Sequence, residues 1–320
     1  MVRKKKSQAM NMMTLMERYH SDEKCRQVLE ELRWPDGPRC PRCDSDKISR
    51  IHERNQFDCD SCRYQFSVMA GTVFHDSHLS LPKWFVATYL ICESKKGISA
   101  NQMKRVLGVS YKTAWYLCHR IRAAMKDANT RLLTGIVEAD ETYIGGRQEG
   151  VGRGNWRRGK TMVLGAVERG GEVRLKVDKR ASKKIIHTFL GSAVDDEAER
   201  FYTDEHGAYE DFAERHEHVV HGKEEWVRGQ VHTNTMESVW SLLKRSIIGS
   251  YHHLSARHLP AYLDEMAFRY NNRKNPYLFR DTLLKLIGAE NMPYQELIRV
   301  GVNATATNQG AQGKLIGDGS

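Results

Sequence analysis

Two cysteine pairs constrain the start of this chain more than any other feature. Cys40-x2-Cys43 and Cys59-x2-Cys62 are separated by fifteen residues, so two tight turns can each present two thiolates to one tetrahedral ion. The spacing predicts a zinc ribbon over residues 37–70, with Cys40, Cys43, Cys59 and Cys62 as Zn2+ ligands. Phe57, Tyr64 and Phe66 are available for a small core. So short a module buries little apolar surface, and the metal has to supply most of its stability. Disulfides are the competing use of the four thiols, and an intracellular chain argues against them. The intracellular reading has two supports. The longest apolar runs, such as TMVLGAV at 161–167, are far too short to cross a bilayer, and MVRKKKSQAM has no apolar segment after its charges. Cys25, Cys92 and Cys118 fall in helix-like contexts and read as buried small hydrophobes.

Charge follows a similar division. The chain has a net charge of +10, and Lys plus Arg outnumber Asp plus Glu by 23 to 14 over residues 1–130 but only by 27 to 26 over 131–320. A basic front beside a nearly neutral remainder predicts a polyanion-binding part and a separate working domain. Within the front, an N-terminal helical segment occupies 10–36. Its residues 10–33 read as one helix, with Leu15, Tyr19, Val28, Leu29 and Leu32 at helical spacing before RWPDGP. From 80 to 128 the pattern includes helix, GVS turn and helix, with Ser99 and Ser110 as caps. Met103, Val106, Leu107, Ala114, Leu117 and Ile121 supply facing apolar stripes. This arrangement resembles a helix-turn-helix, whose second helix enters the major groove. Residues 94–126 carry eight Lys or Arg and no Asp or Glu. Lys104, Arg105, Lys112, Arg120 and Arg122 are therefore the candidates for DNA contact, since each neutralised phosphate releases counterions.

Beyond residue 131 the apolar period changes to two. GIVEADETYIGG, TMVLGAVERGG and EVRLKVDKR read as three strands, the last two joined in a hairpin at Gly170 and Gly171. ASKKIIHTFLGSAV reads as a helix, ERFYTDEHGAY as a short strand ending on Asp204, and HEHVVHG as a further strand. The next helix starts near Asn234, as its cap, and runs through TMESVWSLLKRSIIGS. The resulting order matches a ribonuclease H-like α/β fold, a mixed sheet flanked by helices. In that fold acids at the ends of neighbouring strands and on a late helix hold two Mg2+ ions, which favour hard oxygen ligands. Asp140, Asp204 and Glu237 occupy such positions. Glu237 lies beside the stripe of Met236, Val239, Trp240, Leu243 and Ile247, and an ordinary first-turn glutamate is its alternative reading. Strand alternation puts Glu138 and Asp140 on one face and Glu141 on the other, without choosing between the first two. Glu205, Asp195 and Asp196 read as surface charges, and His206, His252 and His253 as groups that can approach the site.

ADETYIGG, YTDEHGAY and HTNTMESVWSLLKRSIIGSYHHLS, followed by HLPAYLDEMAFRYNNR, resemble bacterial insertion-sequence transposases of the DDE class with an N-terminal zinc ribbon. The resemblance extends from about residue 20 to 285. It implies that 131–288 is the catalytic domain and that Asp140, rather than Glu138, forms the metal-binding triad with Asp204 and Glu237, holding Mg2+ (or Mn2+). It also implies a role for Lys244, seven residues after Glu237 and about 10 Å further along the same helix face, in holding a DNA phosphate. A solvated helix lysine is the alternative. The glycine-rich loop 147–160, with Arg147, Arg153, Arg157, Arg158, Lys160 and Trp156, would track DNA beside the site.

The implied function is transposition: binding terminal inverted repeats, then Mg-dependent strand cleavage and strand transfer. The implied partners are double-stranded DNA, both element ends and target, and a second copy of the chain in the synaptic complex. No membrane association is expected, and the location is the cytoplasm, on the nucleoid when DNA is bound. Residues 301–320 read as a disordered tail. Two rival functions share these motifs: a DNA-binding regulator with an inactive catalytic remnant, and a ribonuclease H-like nuclease that cuts without joining.

Overall fold

The computed structural model describes residues 10–127, 131–145, 159–178, 181–203, 209, 216–218, 232–252 and 254–299. Asp204, Glu205, His206, His253, most of the basic loop (Arg147, Arg153, Trp156, Arg157 and Arg158 among it) and the tail 301–320 lie outside them.

The single helix expected over 10–33 is two, α1 (Met12–Arg18) and α2 (Asp22–Arg33). The break falls at Ser21, whose hydroxyl accepts from the Lys24 amide at 3.3 Å and starts a new helix with Asp22 and Glu23 in its first turn. The ribbon follows as a three-stranded antiparallel sheet, β1 (Ile48–Ile51), β2 (Gln56–Cys59) and β3 (Gln65–Phe66). Phe57 and Phe66 stack in its core at 5.6 Å, and Trp34, at the end of α2, meets both rings edge-on.

Helices α3 (Leu81–Glu93), α4 (Ala100–Leu107) and α5 (Tyr111–Met125) come next. Ser99 and Ser110 cap α4 and α5 through the Gln102 and Thr113 amides. The turn between these helices depends on Gly108, whose φ of 61° favours glycine. Val106 leaves the stripe assigned to it and is 51% exposed.

The second sheet runs in the order β6-β5-β4-β7-β8, with β4 (Ile136–Ile144) at its centre. β5 (Thr161–Glu168) and β6 (Val173–Asp178) add antiparallel strands on one side. β7 (Arg200–Thr203) and β8 (His216–His218) add parallel ones on the other. This is the ribonuclease H-like topology. Helix α6 (Lys183–Ala193) covers one face, packing on Val137, Ala139, Leu164 and Ala166. Helix α7 (Asn234–Ser246) and α8 (Leu259–Asn271) cover the other through Met236, Val239, Trp240, Leu243, Leu263 and Met266. A π-helical turn, Ile247–Tyr251, extends α7.

Chain order and spatial order part company after α8. Helix α9 (Leu278–Gly288) returns to the N-terminal helices, where Leu278, Phe279, Leu283, Leu286 and Ile287 join the core built by α2, α3 and α5. The last turns of the expected catalytic segment thus complete the N-terminal helical unit, with a short α10 (Tyr294–Arg299) beyond them. No helix among the described residues is long and apolar enough to cross a membrane.

Candidate active site

Strand alternation sorts the carboxylates of β4 as expected. Val137 and Ala139 point at α6, while Glu138 and Asp140 point at α7. Glu141 faces the α6 side, where its Oε2 accepts the hydroxyl of buried Tyr209 at 2.8 Å. Asp140 is half-buried, and its Oδ2 accepts the Trp240 indole N–H at 2.8 Å. Trp240 is 4% exposed, so this bond satisfies an N–H that would otherwise be buried without a partner.

Helix α7 docks through an apolar stripe whose large side chains each contribute about 1.5–3 kcal/mol on burial. Its close approach depends on Gly165, paired with Asp140 across β4 and β5. A Cβ there would lie 2.5 Å from Met236 Cε and 2.6 Å from Trp240 Cη2. Glu237 sits in the first turn of α7 with an exposed side chain, and Lys244 is exposed two turns further on. The start of α7 departs from expectation in one respect. Asn234 is its first helical residue, not its cap, and Thr233 at the cap position makes no side-chain cap bond. Instead the Met236 amide donates to Glu138 Oε2 at 2.9 Å.

The structure therefore brings Asp140 and the turn bearing Glu237 onto one face of the sheet. Asp204, the next residue after the end of β7, lies outside the described residues, as does His206. His252 is exposed, and Asp195 and Asp196 sit past the end of α6. Sequence reasoning missed Arg169, Gly165 and the bonding role of Trp240. Gly165 alone carried a signal, because a glycine inside an apolar strand marks close backbone approach.

The candidate DNA-contact residues divide. Lys104, Arg105 and Lys112 are exposed on α4 and at the start of α5. Arg120 and Arg122 are corrected: they are 3% and 1% exposed and serve the fold. Arg120 donates to the His75 carbonyl at 2.7 Å and to Asn291 Oδ1 at 3.0 Å. Arg122 Nε donates to Glu265 Oε2 at 2.5 Å, and its guanidinium lies 4.0 Å from the Tyr262 ring centre. Burial opposes the charge on Arg122, yet Glu265 outweighs it and raises the pKa above the ordinary arginine value. The C-terminal half of α5 is largely buried, and its exposed residues, Tyr111, Lys112 and Thr113, all lie in the first turn.

In the ribbon, the four cysteine sulfurs lie within 4.8 Å of one another. Cys40 and Cys62 Sγ are 3.6 Å apart, and Cys43 and Cys59 Sγ 3.5 Å. A tetrahedron with Zn–S bonds of about 2.3 Å has edges of about 3.8 Å, so the set fits Zn2+. Each knuckle turns on a residue with positive φ, Asp44 and Arg63, both at 57°. Their amides donate to the Cys40 and Cys59 carbonyls.

The model of the ISXO2-like transposase domain matches residues 132–271, and that of the transposase zinc-ribbon domain matches 20–65. A Halobacterium salinarum protein described as an uncharacterized protein in transposable element ISH50 is 34% identical over 247 residues, 70% of this chain and 83% of that one. Among solved structures, the Mos1 strand transfer complex is similar at 13% identity and a TM-score of 0.28, over 64% of this chain and 75% of that one. A simian T-cell lymphotropic virus intasome is similar at 12% identity and a TM-score of 0.23, over 74% and 78%.

Proposed function

Because the chain belongs to the ISXO2-like transposase family, in its catalytic and zinc-ribbon parts alike, we propose that it is the transposase of an insertion sequence. In this reading the ribbon and the α4–α5 pair bind the terminal inverted repeats, and Asp140, Asp204 and Glu237 form the catalytic triad. One observation carries the catalytic part: Asp140, on the central strand, faces the helix whose first turn holds Glu237, tied to it through Trp240.

Carboxylates on a strand and a helix turn are the hard oxygen donors that Mg2+ or Mn2+ requires. Bound there, the ions would activate an attacking oxygen and stabilise a leaving one. The residues themselves orient the ions and hold DNA. In this reading Lys244, which is exposed on α7, holds a DNA phosphate, and Arg153, Arg157 and Arg158 of the basic loop contribute further phosphate contacts. In the first step water attacks the phosphodiester at the element end. A new P–O bond forms and the 3′ oxygen leaves with a proton. The freed 3′-OH then attacks a target phosphodiester, again making one P–O bond and breaking one, so no energy source is needed. Acting on two ends calls for at least two copies of the chain.

The test combines purified protein, end-bearing DNA, target plasmid and MgCl2. Wild type should cleave and join. Asp140→Ala, Asp204→Ala and Glu237→Ala should each lose both steps while binding ends normally. Full activity in any of the three removes that residue from the triad. Cleavage without a covalent joint to the second duplex identifies a nuclease, and end binding without cleavage a regulator.

A further inference from the structure

Glu138 is 0% exposed, a buried carboxylate two residues before Asp140. Both of its oxygens are engaged. Oε1 accepts from Arg169 Nε at 2.6 Å and from the Thr235 hydroxyl at 2.9 Å, with His232 Nδ1 at 3.5 Å. Oε2 accepts from the Met236 amide at 2.9 Å. Enclosed in this way, the group offers no open oxygen to a metal ion or a phosphate.

Its position has a helix-specific meaning. The third amide of a helix is one that a capping side chain ordinarily satisfies, and in α7 that amide belongs to Met236. Here the cap arrives from a strand 98 residues earlier, and it is an anion, which the helix dipole favours at that end. Arg169 reinforces the lock by donating to the His232 carbonyl at 3.0 Å as well as to Glu138.

Strand and helix spacing make the arrangement a two-point register. From Glu138 to Asp140 is two strand residues, about 6.7 Å. From Met236 to Trp240 is four helix residues, about 6 Å. The bonds Glu138–Met236 and Asp140–Trp240 are thus matched rungs between β4 and α7, and Glu237 is the residue next to the first rung.

We propose that Glu138 is a positioning residue of the active site. It sets the register of α7 on β4, and with it the placement of the Glu237 carboxylate relative to Asp140, without touching metal or DNA. The inference rests on the triad reading above. Mg2+ tolerates little departure from octahedral geometry, so a loosened register should appear first as weakened use of the metal.

Glu138→Gln keeps the size and one acceptor oxygen but removes the charge facing Arg169. In the full-length protein it should slow single-turnover cleavage at limiting Mg2+ by about 10–100-fold and raise the half-saturating Mg2+ concentration, with end binding unchanged. Hydrogen exchange over residues 234–240 should speed up while that over 259–271 stays as it was. Asp140→Asn should instead abolish cleavage at every Mg2+ concentration. A merely structural role would lower stability and end binding together without moving the Mg2+ dependence. An unmoved half-saturation point, or exchange at 234–240 as slow as in wild type, overturns the proposal. Thr235→Val, which removes one donor, should show the same shifts at smaller size and covers the case in which Glu138→Gln folds poorly. If wild type cleaves nothing, the triad reading falls, and the exchange comparison alone decides whether Glu138 holds α7.

Discussion

The ribbon and the acidic site are both small clusters of metal-seeking side chains, built in opposite ways. The thiol contact between Cys40 and Cys62 spans 22 residues of chain. The bonds that organise the acidic site span 97 to 100 residues and join β4 to α7. In the first, local turns bring the donors together and little else is available to hold them. In the second, a sheet and a docked helix determine where each carboxylate stands, and any ion is added to a scaffold already formed. The ribbon should therefore depend on its metal for folding, and the acidic site should not.

Removing zinc is the largest perturbation this contrast offers, because structural zinc in such modules supplies about 10–16 kcal/mol. A strong chelator, or Cys43→Ser, should leave residues 56–66 unprotected in hydrogen exchange and weaken end binding. Protection over 136–144 and 161–168 should persist. Loosening of the second sheet to the same degree would break the comparison and show that the two parts fold together. Unchanged end binding would assign the ribbon to another partner.

The converse perturbation leaves the ribbon alone. Gly165→Val puts a branched side chain where Met236 and Trp240 already lie within 3 Å of a built Cβ. Overpacking of this kind costs about 1–3 kcal/mol. Thermal unfolding should show a loss of that size, cleavage should fall steeply because α7 is displaced from Asp140, and zinc content and end binding should stay at wild-type values. Normal cleavage would mean that the placement of α7 is looser than the packing implies.

The same contrast explains what could be read in advance. The four cysteines follow from spacing alone, as do the caps Ser99 and Ser110, since each knuckle and each cap closes within a few residues. The strands of the second sheet follow from short apolar runs bounded by glycines and charges, although β5 is buried at six successive positions rather than at alternate ones. The faces of Glu138, Asp140 and Glu141 follow from alternation. What no local pattern contains is the partner across the fold. Glu138 and Asp140 are equivalent by periodicity, and only partners far along the chain, Arg169, Thr235 and Met236 for the first and Trp240 for the second, give them different surroundings. Arg120 and Arg122 look like a basic helix surface until α8 and the residues after α9 enclose them and Glu265 supplies a counter-charge. The return of α9 to the N-terminal core is of the same kind, a contact with no signature in the segment itself.

The smallest expected effect separates the two classes of arginine and lysine on α5. Lys112 is exposed in the first turn, with its ammonium 4.7 Å from the ring centre of Tyr294. That contact keeps the charge at the protein surface near the N-terminal end of the helix, the part that a recognition helix presents to bases and backbone. A lysine in contact with one phosphate should contribute about one unit to the slope of log K against log salt, and little to stability. Lys112→Ala should therefore reduce the slope for end binding by about 1 and change thermal stability by no more than about 0.5 kcal/mol. Lys104→Ala or Arg105→Ala on α4 tests whether the track continues across the first helix of the pair. If Lys112→Ala leaves the slope unchanged while either α4 variant lowers it, α4 rather than α5 carries the backbone contact, and the docking geometry assigned to the pair is wrong. If all three leave it unchanged, the phosphate contacts come from the ribbon or from the loop after β4 instead.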